Sequence, residues 1–124
     1  MRRVVITGLG TVNPLGISFD ESWQNILRSQ SGAGRIESFD VSDLPCQVAC
    51  HVPDSFNADD WVEPKDQKKS DTFIIYGIAA ATMALQDSGF EAETDEQQYR
   101  SGVYIGSGIG GLASIEETAL LLNE

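Results

Sequence analysis

The chain has few basic residues, a single histidine and no apolar run long enough to cross a membrane. Its 124 residues carry 8 Lys and Arg against 19 Asp and Glu, which gives a formal net charge of -11 at pH 7. This excess of negative charge disfavours nucleic acid and anionic membrane surfaces as general partners. The longest apolar stretch, residues 73–85, is shorter than the ~18 residues that span a bilayer.

The sequence also lacks an export signal, an internal repeat and a low-complexity linker. Arg2 and Arg3 lead directly into a strand-like segment, without a long apolar run or a small-residue cleavage site. We therefore expect a cytoplasmic protein with one domain over residues 1–124 and no second domain. The apolar pattern at residues 112–122 ends without a glycine stop or a basic last turn, which predicts a chain that has been cut short.

Two thiols and the only imidazole lie on one extended segment, where their side chains do not converge on a reactive centre. Cys46, Cys50 and His51 occupy an alternating stretch that is typical of a strand. Four residues of strand span about 13 Å, so a disulfide is out of reach and we expect reduced thiols. A metal site needs converging ligands, and a catalytic thiol needs a base across a pocket. The sequence therefore predicts no catalytic residue, no metal site and no cofactor.

A first glycine-rich segment follows a predicted buried strand at residues 3–7. Gly8, Leu9 and Gly10 match the start of a dinucleotide-binding fingerprint. The third glycine of that fingerprint is replaced by Asn13, and a proline follows instead of a helix. We interpret this segment as a tight structural turn.

A second glycine-rich segment, GSGIGG at residues 106–111, follows a predicted buried strand at residues 102–105. No Lys-Ser or Lys-Thr pair comes after it, so it is not a phosphate-binding P-loop. Ile109 is its only large side chain. Two interpretations stay open from the residues alone, namely lining of an apolar pocket and close backbone packing.

The first predicted helix begins after a capping signal. Ser18 and Glu21 match a capping box, in which each side chain accepts a hydrogen bond from the other residue's backbone amide. Apolar residues follow at helical spacing, and we expect Gly32 to stop the helix. Residues 31–45 are predicted as surface loop with short extended pieces, and residues 47–52 as a strand.

Residues 65–89 join the chain's basic cluster to its longest apolar run. Ser70 or Asp71 can cap a helix start, and Gly89 suits the left-handed position after the last turn. Because residues 73–85 are apolar nearly all round, we predict a helix that is buried on most sides. Further helical segments are predicted at residues 57–61, 95–99 and 112–122.

The basic cluster consists of Lys65, Lys68 and Lys69 and stands out in an acidic chain. On a helical turn these three side chains would share one face. Such a run is usually solvated surface, but the local charge contrast also suits an acidic or phosphorylated partner. Both interpretations stay open from the residues alone.

Taken together, these segments resemble the N-terminal part of the β-ketoacyl-[acyl-carrier-protein] synthases, most closely the synthase II group. The resemblance spans essentially the whole chain, and it is specific because many motifs occur in the same order. The motifs are VVITGLG at residues 4–10, PLG at 14–16, ESW at 21–23, SG at 31–32, FD at 39–40, residues 65–73 with Tyr76, LQDSG at 85–89 and GSGIGG at 106–111.

The resemblance implies an α/β fold of the thiolase-like kind, with α-β-α-β-α layers, of which this chain supplies only the first part of the N-terminal half. It implies fatty-acid elongation by decarboxylative Claisen condensation with malonyl-acyl-carrier-protein, in a homodimer. The family's nucleophilic cysteine and its two histidines lie beyond residue 124, so the chain alone is expected to be inactive. The alternatives are a non-catalytic subunit like a chain-length factor and a module that binds an acidic protein.

The resemblance also assigns two binding sites, neither of them catalytic. Lys65, Lys68 and Lys69 match positions that contact the acidic acyl carrier protein. Gly108 and Ile109 match the loop that lines the acyl-chain pocket. No metal, cofactor, nucleic acid or membrane is implied by these matches.

Overall fold

Helices make up most of the regular structure. The computed structural model describes residues 2–123. In chain order the elements are α1 (Phe19–Leu27), β1 (Ala33–Arg35), β2 (Val48–Cys50), a 3₁₀ helix (Ala58–Asp60), α2 (Pro64–Gln67), α3 (Thr72–Ser88), α4 (Asp95–Arg100) and α5 (Leu112–Leu121). Every segment that the sequence predicts as helical contains a helix, and no helix in the described range is long and apolar enough to cross a bilayer.

The longest helix, α3, begins and ends at the positions that the sequence predicts, although no side chain caps its start. Asp71 occupies the N-cap position, and Gly89 takes φ 58° and ψ 20°, a left-handed conformation that costs glycine little. The predicted burial on most sides is wrong for residues 2–123, where only Ile75 and Ala79 of α3 are buried and Leu85 is 54% exposed. The two buried residues lie one turn apart on the same face of the helix.

Gly8 and Gly10 bring the N-terminal segment into backbone contact with α3. A Cβ on Gly8 would overlap the carbonyl of Ala84, and a Cβ on Gly10 would overlap the carbonyl of Ala80. Neither glycine has a positive φ. The predicted tight turn at these residues is therefore wrong, because the glycines permit close approach of two backbones rather than a reversal of the chain.

The turn lies a few residues later and leads into α1. Asn13 and Gly16 are joined by two backbone hydrogen bonds of 3.0 Å. Ser18 Oγ accepts from the Glu21 amide at 3.2 Å, as the capping signal predicts. The Glu21 carboxylate accepts from the Ile17 amide at 2.9 Å rather than from that of Ser18, so the second bond of the predicted capping box is displaced by one residue.

The end of α1 comes earlier than the sequence predicts. The helix stops at Leu27, and Ser29 takes a positive φ of 55°. The predicted stop at Gly32 is therefore wrong. A Cβ on Gly32 would lie 2.7 Å from Pro14 Cβ, so this glycine instead allows the chain to pass close over the preceding turn.

A short antiparallel ribbon connects α1 to the rest of the chain. Gly34 of β1 pairs with Ala49 of β2 at its centre. The strand predicted at residues 47–52 is thus present in shortened form, and its partner comes from the segment predicted mainly as loop. Cys46 and Cys50 are free and exposed.

Residues 3–7 and 102–105, both predicted as buried strands, are neither paired nor buried in the described part of the chain. Val4 is 95% exposed, and Tyr104 is fully exposed. A strand requires a neighbour that satisfies its backbone hydrogen bonds, and β-branched composition alone does not supply one. Both predictions are therefore wrong for this structure.

Candidate functional site

Lys65, Lys68 and Lys69 form an exposed basic cluster directly before α3. Pro64 at the first position of α2 needs no amide partner, which favours a helical turn there. The Lys69 amide donates to the Asp66 carbonyl at 3.1 Å, so helical turns continue past the end of α2. The basic cluster is therefore held on short turns of backbone rather than on a long helix.

Gln67 anchors these turns to the segment before them. Its Nε2 donates to the Val62 carbonyl at 2.7 Å and to Asp59 Oδ1 at 2.8 Å. Gln67 is only partly exposed, whereas the lysines on either side of it are exposed. One inward amide thus fixes the orientation of a backbone whose cationic side chains point to solvent.

Ion pairing within the described residues leaves most of the charge of the basic cluster accessible to solvent. Lys65 Nζ lies 2.7 Å from Glu63 Oε2, and the two side chains are 72% and 71% exposed. An ion pair at such exposure contributes little, because solvent screens it. Lys68 and Lys69 form no ion pair within the described residues. An acidic surface can therefore approach all three lysines.

The glycine loop, residues 106–111, lies beside the first turns of α3. Gly110 takes φ 88°, and its amide donates to Ser107 Oγ at 3.1 Å. An apolar cavity of about 240 Å³ separates the loop from the helix. Its lining residues are Phe73, Ile74, Gly77, Ile78, Ile105, Gly106 and Ser107.

Gly108 and Ile109, the predicted pocket residues, lie outside the lining of that cavity. Ile109 is 74% exposed, and a Cβ on Gly108 would meet nothing within 4 Å. Their assignment to an acyl pocket stays a prediction. The sequence does not predict the cavity itself, although the i, i+1, i+4, i+5 spacing of its α3 residues, such as Phe73 and Ile78, is a signal for an apolar helix face.

The basic cluster and the glycine loop lie at the same end of α3. Lys69 precedes the first residue of the helix by three positions, and the cavity beside the glycine loop is lined by the first two turns. The sequence separates the basic cluster from the loop by about forty residues, yet the fold places both at the N-terminal end of one helix.

His51 contributes to a different cavity of about 510 Å³. Arg35, Glu37, Asp54 and Tyr76 are among its other lining residues. Charges of both signs line it, so its composition selects no ligand class. Within residues 2–123 no three His, Cys, Asp or Glu side chains converge as metal ligands.

Hydrogen bonds from a neighbouring residue lower the pKa of Asp40. The Ser42 backbone amide donates to Asp40 Oδ1 at 3.0 Å. This bond, with a second from the Ser42 side chain, lowers the pKa of Asp40 below its ordinary value because both stabilise the carboxylate. Asp40 lies far from the basic cluster in sequence, and its hydrogen bonds stabilise a local turn.

Comparison with known proteins gives the family. The family described as "Beta-ketoacyl synthase, N-terminal domain" matches residues 1–124. The chain is 49% identical to 3-oxoacyl-[acyl-carrier-protein] synthase 2 of Rhizobium meliloti (strain 1021), over 100% of this chain and 31% of that protein. It is 48% identical to the protein of the same name from Vibrio harveyi, over 93% of this chain and 27% of that protein.

A solved structure supports the fold. The chain resembles "The ishigamide ketosynthase/chain length factor" with a TM-score of 0.72 and 29% identity, over 99% of this chain and 31% of that one. The fold is therefore part of an α/β architecture of the thiolase-like class. The chain belongs to the β-ketoacyl synthase family, and it spans less than a third of the length of the curated relatives described above.

Proposed function

We propose that the chain is the first part of the N-terminal domain of a 3-oxoacyl-[acyl-carrier-protein] synthase that elongates fatty acids. The family match over residues 1–124 carries the proposal, together with 49% identity to a relative of that name. The reaction joins the acyl group of an acyl-enzyme thioester to the carbanion left when malonyl-acyl-carrier-protein loses CO₂. The new carbon–carbon bond forms as the enzyme's thiolate leaves.

The catalytic test uses the complete synthase that contains these residues. It should release CO₂ from malonyl-acyl-carrier-protein and form a 3-oxoacyl product, whereas the 124-residue chain should do neither. The family's nucleophile and histidines lie beyond residue 124 in the resemblance, so the chain contributes binding surface. Condensation by the 124-residue chain alone would contradict this division of roles.

The proposed partner is the acyl carrier protein, bound by Lys65, Lys68 and Lys69. Exposure of all three lysines in a chain of net charge -11 supports a dedicated acidic partner at this position. The lysines are mobile point charges, which suit a partner recognised mainly by charge and released after each transfer.

The proposed acyl site includes Gly108 and Ile109 of the glycine loop. The apolar cavity next to this loop supports the assignment, because it shows that the loop packs beside apolar surface.

Two further proposals are a cytoplasmic location and a homodimer. Apolar side chains left exposed at residues 103–105 support burial against further protein, and light scattering on the complete synthase tests the dimer.

A second candidate is a non-catalytic subunit like a chain-length factor. It is favoured by one observation, namely that the solved structure with a TM-score of 0.72 is a ketosynthase/chain length factor. The reading frame around these residues separates the candidates. A nucleophilic cysteine at the family's position supports the condensing enzyme, and its absence supports the subunit.

A further inference from the structure

Asp71 occupies a helix N-cap but does not cap the helix with its side chain. The backbone carbonyl of Asp71 accepts the first helical hydrogen bonds of α3, from the Ile74 amide at 2.9 Å and the Ile75 amide at 3.4 Å. The carboxylate makes no capping bond, although aspartate is among the strongest N-cap residues. The Asp71 side chain is therefore directed to another partner.

That partner is Ser114, which lies 43 positions further along the chain. Ser114 Oγ donates to Asp71 Oδ1 at 2.6 Å, a short bond in which a hydroxyl meets a charged acceptor. Ser114 lies in the first turn of α5. The bond thus ties the beginning of α5 to the beginning of α3.

Gly111 shows how closely the carboxylate approaches the glycine loop. A Cβ built on Gly111 would overlap the Asp71 carboxylate. Gly111 has a negative φ of -85°, so a left-handed conformation is not the reason for glycine there. Space for the Asp71 side chain is the physical reason for a glycine at this position.

The geometry points to Asp71 as a positioning residue. It holds the glycine loop against the start of α3, at a fixed position relative to the basic cluster. Its carboxylate contacts the last loop residue, Gly111, and Lys69 lies two positions before it. The inference rests on the proposed function, because the loop is the proposed acyl site and the basic cluster the proposed docking site. Asp71 thereby fixes the distance between the place where the carrier protein binds and the place where the acyl chain enters.

The test compares Asp71→Ala, Asp71→Asn and Ser114→Ala in the complete synthase. Without the bond the loop shifts relative to the docking site, so kcat should fall about tenfold with a long acyl substrate. The KM for the acyl carrier protein should stay within about twofold, because the lysines are intact. Asp71→Asn should recover most of the activity, since its amide oxygen still accepts from Ser114.

Two controls separate positioning from general damage. Thr118→Ala removes a hydroxyl of α5 that donates to the Ser114 carbonyl of its own helix at 2.7 Å, and it should leave kcat unchanged. The double variant Asp71→Ala with Ser114→Ala should be no slower than either single variant, because both remove the same bond. Ser114 is exposed, so its variant remains informative if Asp71→Ala fails to fold.

The outcomes are distinct. A fall in kcat for Asp71→Ala and Ser114→Ala, with recovery in Asp71→Asn, supports the inference. Unchanged kcat in both, or a raised KM at unchanged kcat, overturns it while leaving the proposed function in place. An unsubstituted synthase without condensation activity overturns the proposed function and the positioning role with it.

Discussion

The backbone amide of Leu9 donates to Asp87 Oδ2 at 2.8 Å, which joins the N-terminal segment to the last turns of α3 across 78 residues of sequence. Leu9 lies between the two glycines that contact the helix backbone. This bond therefore fixes where along α3 the segment lies, and Gly8 and Gly10 fix how closely it lies.

Replacement of Asp87 by Ala should loosen the N-terminal segment. A hydrogen bond to a carboxylate on the exposed surface contributes about 1 kcal/mol, so protection of the Leu9 amide from hydrogen exchange should fall several-fold. Asp87→Asn is the matched control, because it retains an acceptor oxygen. Equal protection in the parent and in Asp87→Ala would show that the bond does not hold the segment.

Gly10→Ala should destabilise the protein by roughly 2 kcal/mol, because its methyl group would overlap the Ala80 carbonyl of α3. Gly77→Ala is the opposite case, since a Cβ there meets nothing within 4 Å among the described residues. In a helix interior this change should stabilise by up to about 1 kcal/mol. Urea unfolding measures the change in the free energy of unfolding for each variant. Equal changes in the two variants would contradict the close approach of Gly10 to the backbone of α3.

Charge reversal of Lys65, Lys68 and Lys69 to Glu should weaken binding of the acyl carrier protein in the complete synthase. The loss should be large at low salt and small at high salt, because exposed charges act over a Debye length of about 8 Å at physiological ionic strength. Reversal of Arg100, which is exposed and lies outside the basic cluster, is the control. Titration calorimetry at several salt concentrations checks this, and unchanged affinity at low salt would favour plain solvated surface.

The carboxyl of Asp40 should titrate at a lower pH than an ordinary aspartate. Ser42→Ala should raise its pKa only partway, because the backbone amide, the larger cause, remains. A lowered folded pKa stabilises the folded state above the unfolded pKa of aspartate, and that contribution is lost as pH falls through the folded value. A carbon-detected NMR titration measures the midpoint, and an ordinary value would contradict the hydrogen-bonded turn.

Local chemistry explains why the sequence predicts the helices well. Gly89 marks the end of α3 and Ser18 marks the start of α1, because capping involves residues only a few positions apart. Asp71 occupies the N-cap position of α3 as predicted, but its side chain makes no capping bond. The predicted stop at Gly32 is misplaced, since α1 already ends at Leu27 and Ser29 takes the positive φ. A local signal thus predicts that a helix ends but can misplace the end by a few residues.

Features that depend on distant segments were not predictable in the same way. Residues 3–7 have strand composition, but a strand also needs a partner, which the described residues do not provide. The close contact of Gly8 with α3 and the bond between Asp71 and Ser114 join positions far apart in sequence. Neither leaves a periodic pattern, so the glycine loop and the basic cluster could be found separately while their common location at one end of α3 could not.

The most direct test of the proposed function is the mass of the product that the complete synthase leaves on the acyl carrier protein. With acyl and malonyl groups loaded on separate carrier proteins, we expect a 3-oxoacyl chain two carbons longer than the starting acyl group, with one CO₂ released per product. A purified, folded synthase that leaves the acyl chain at its original length would contradict the proposal.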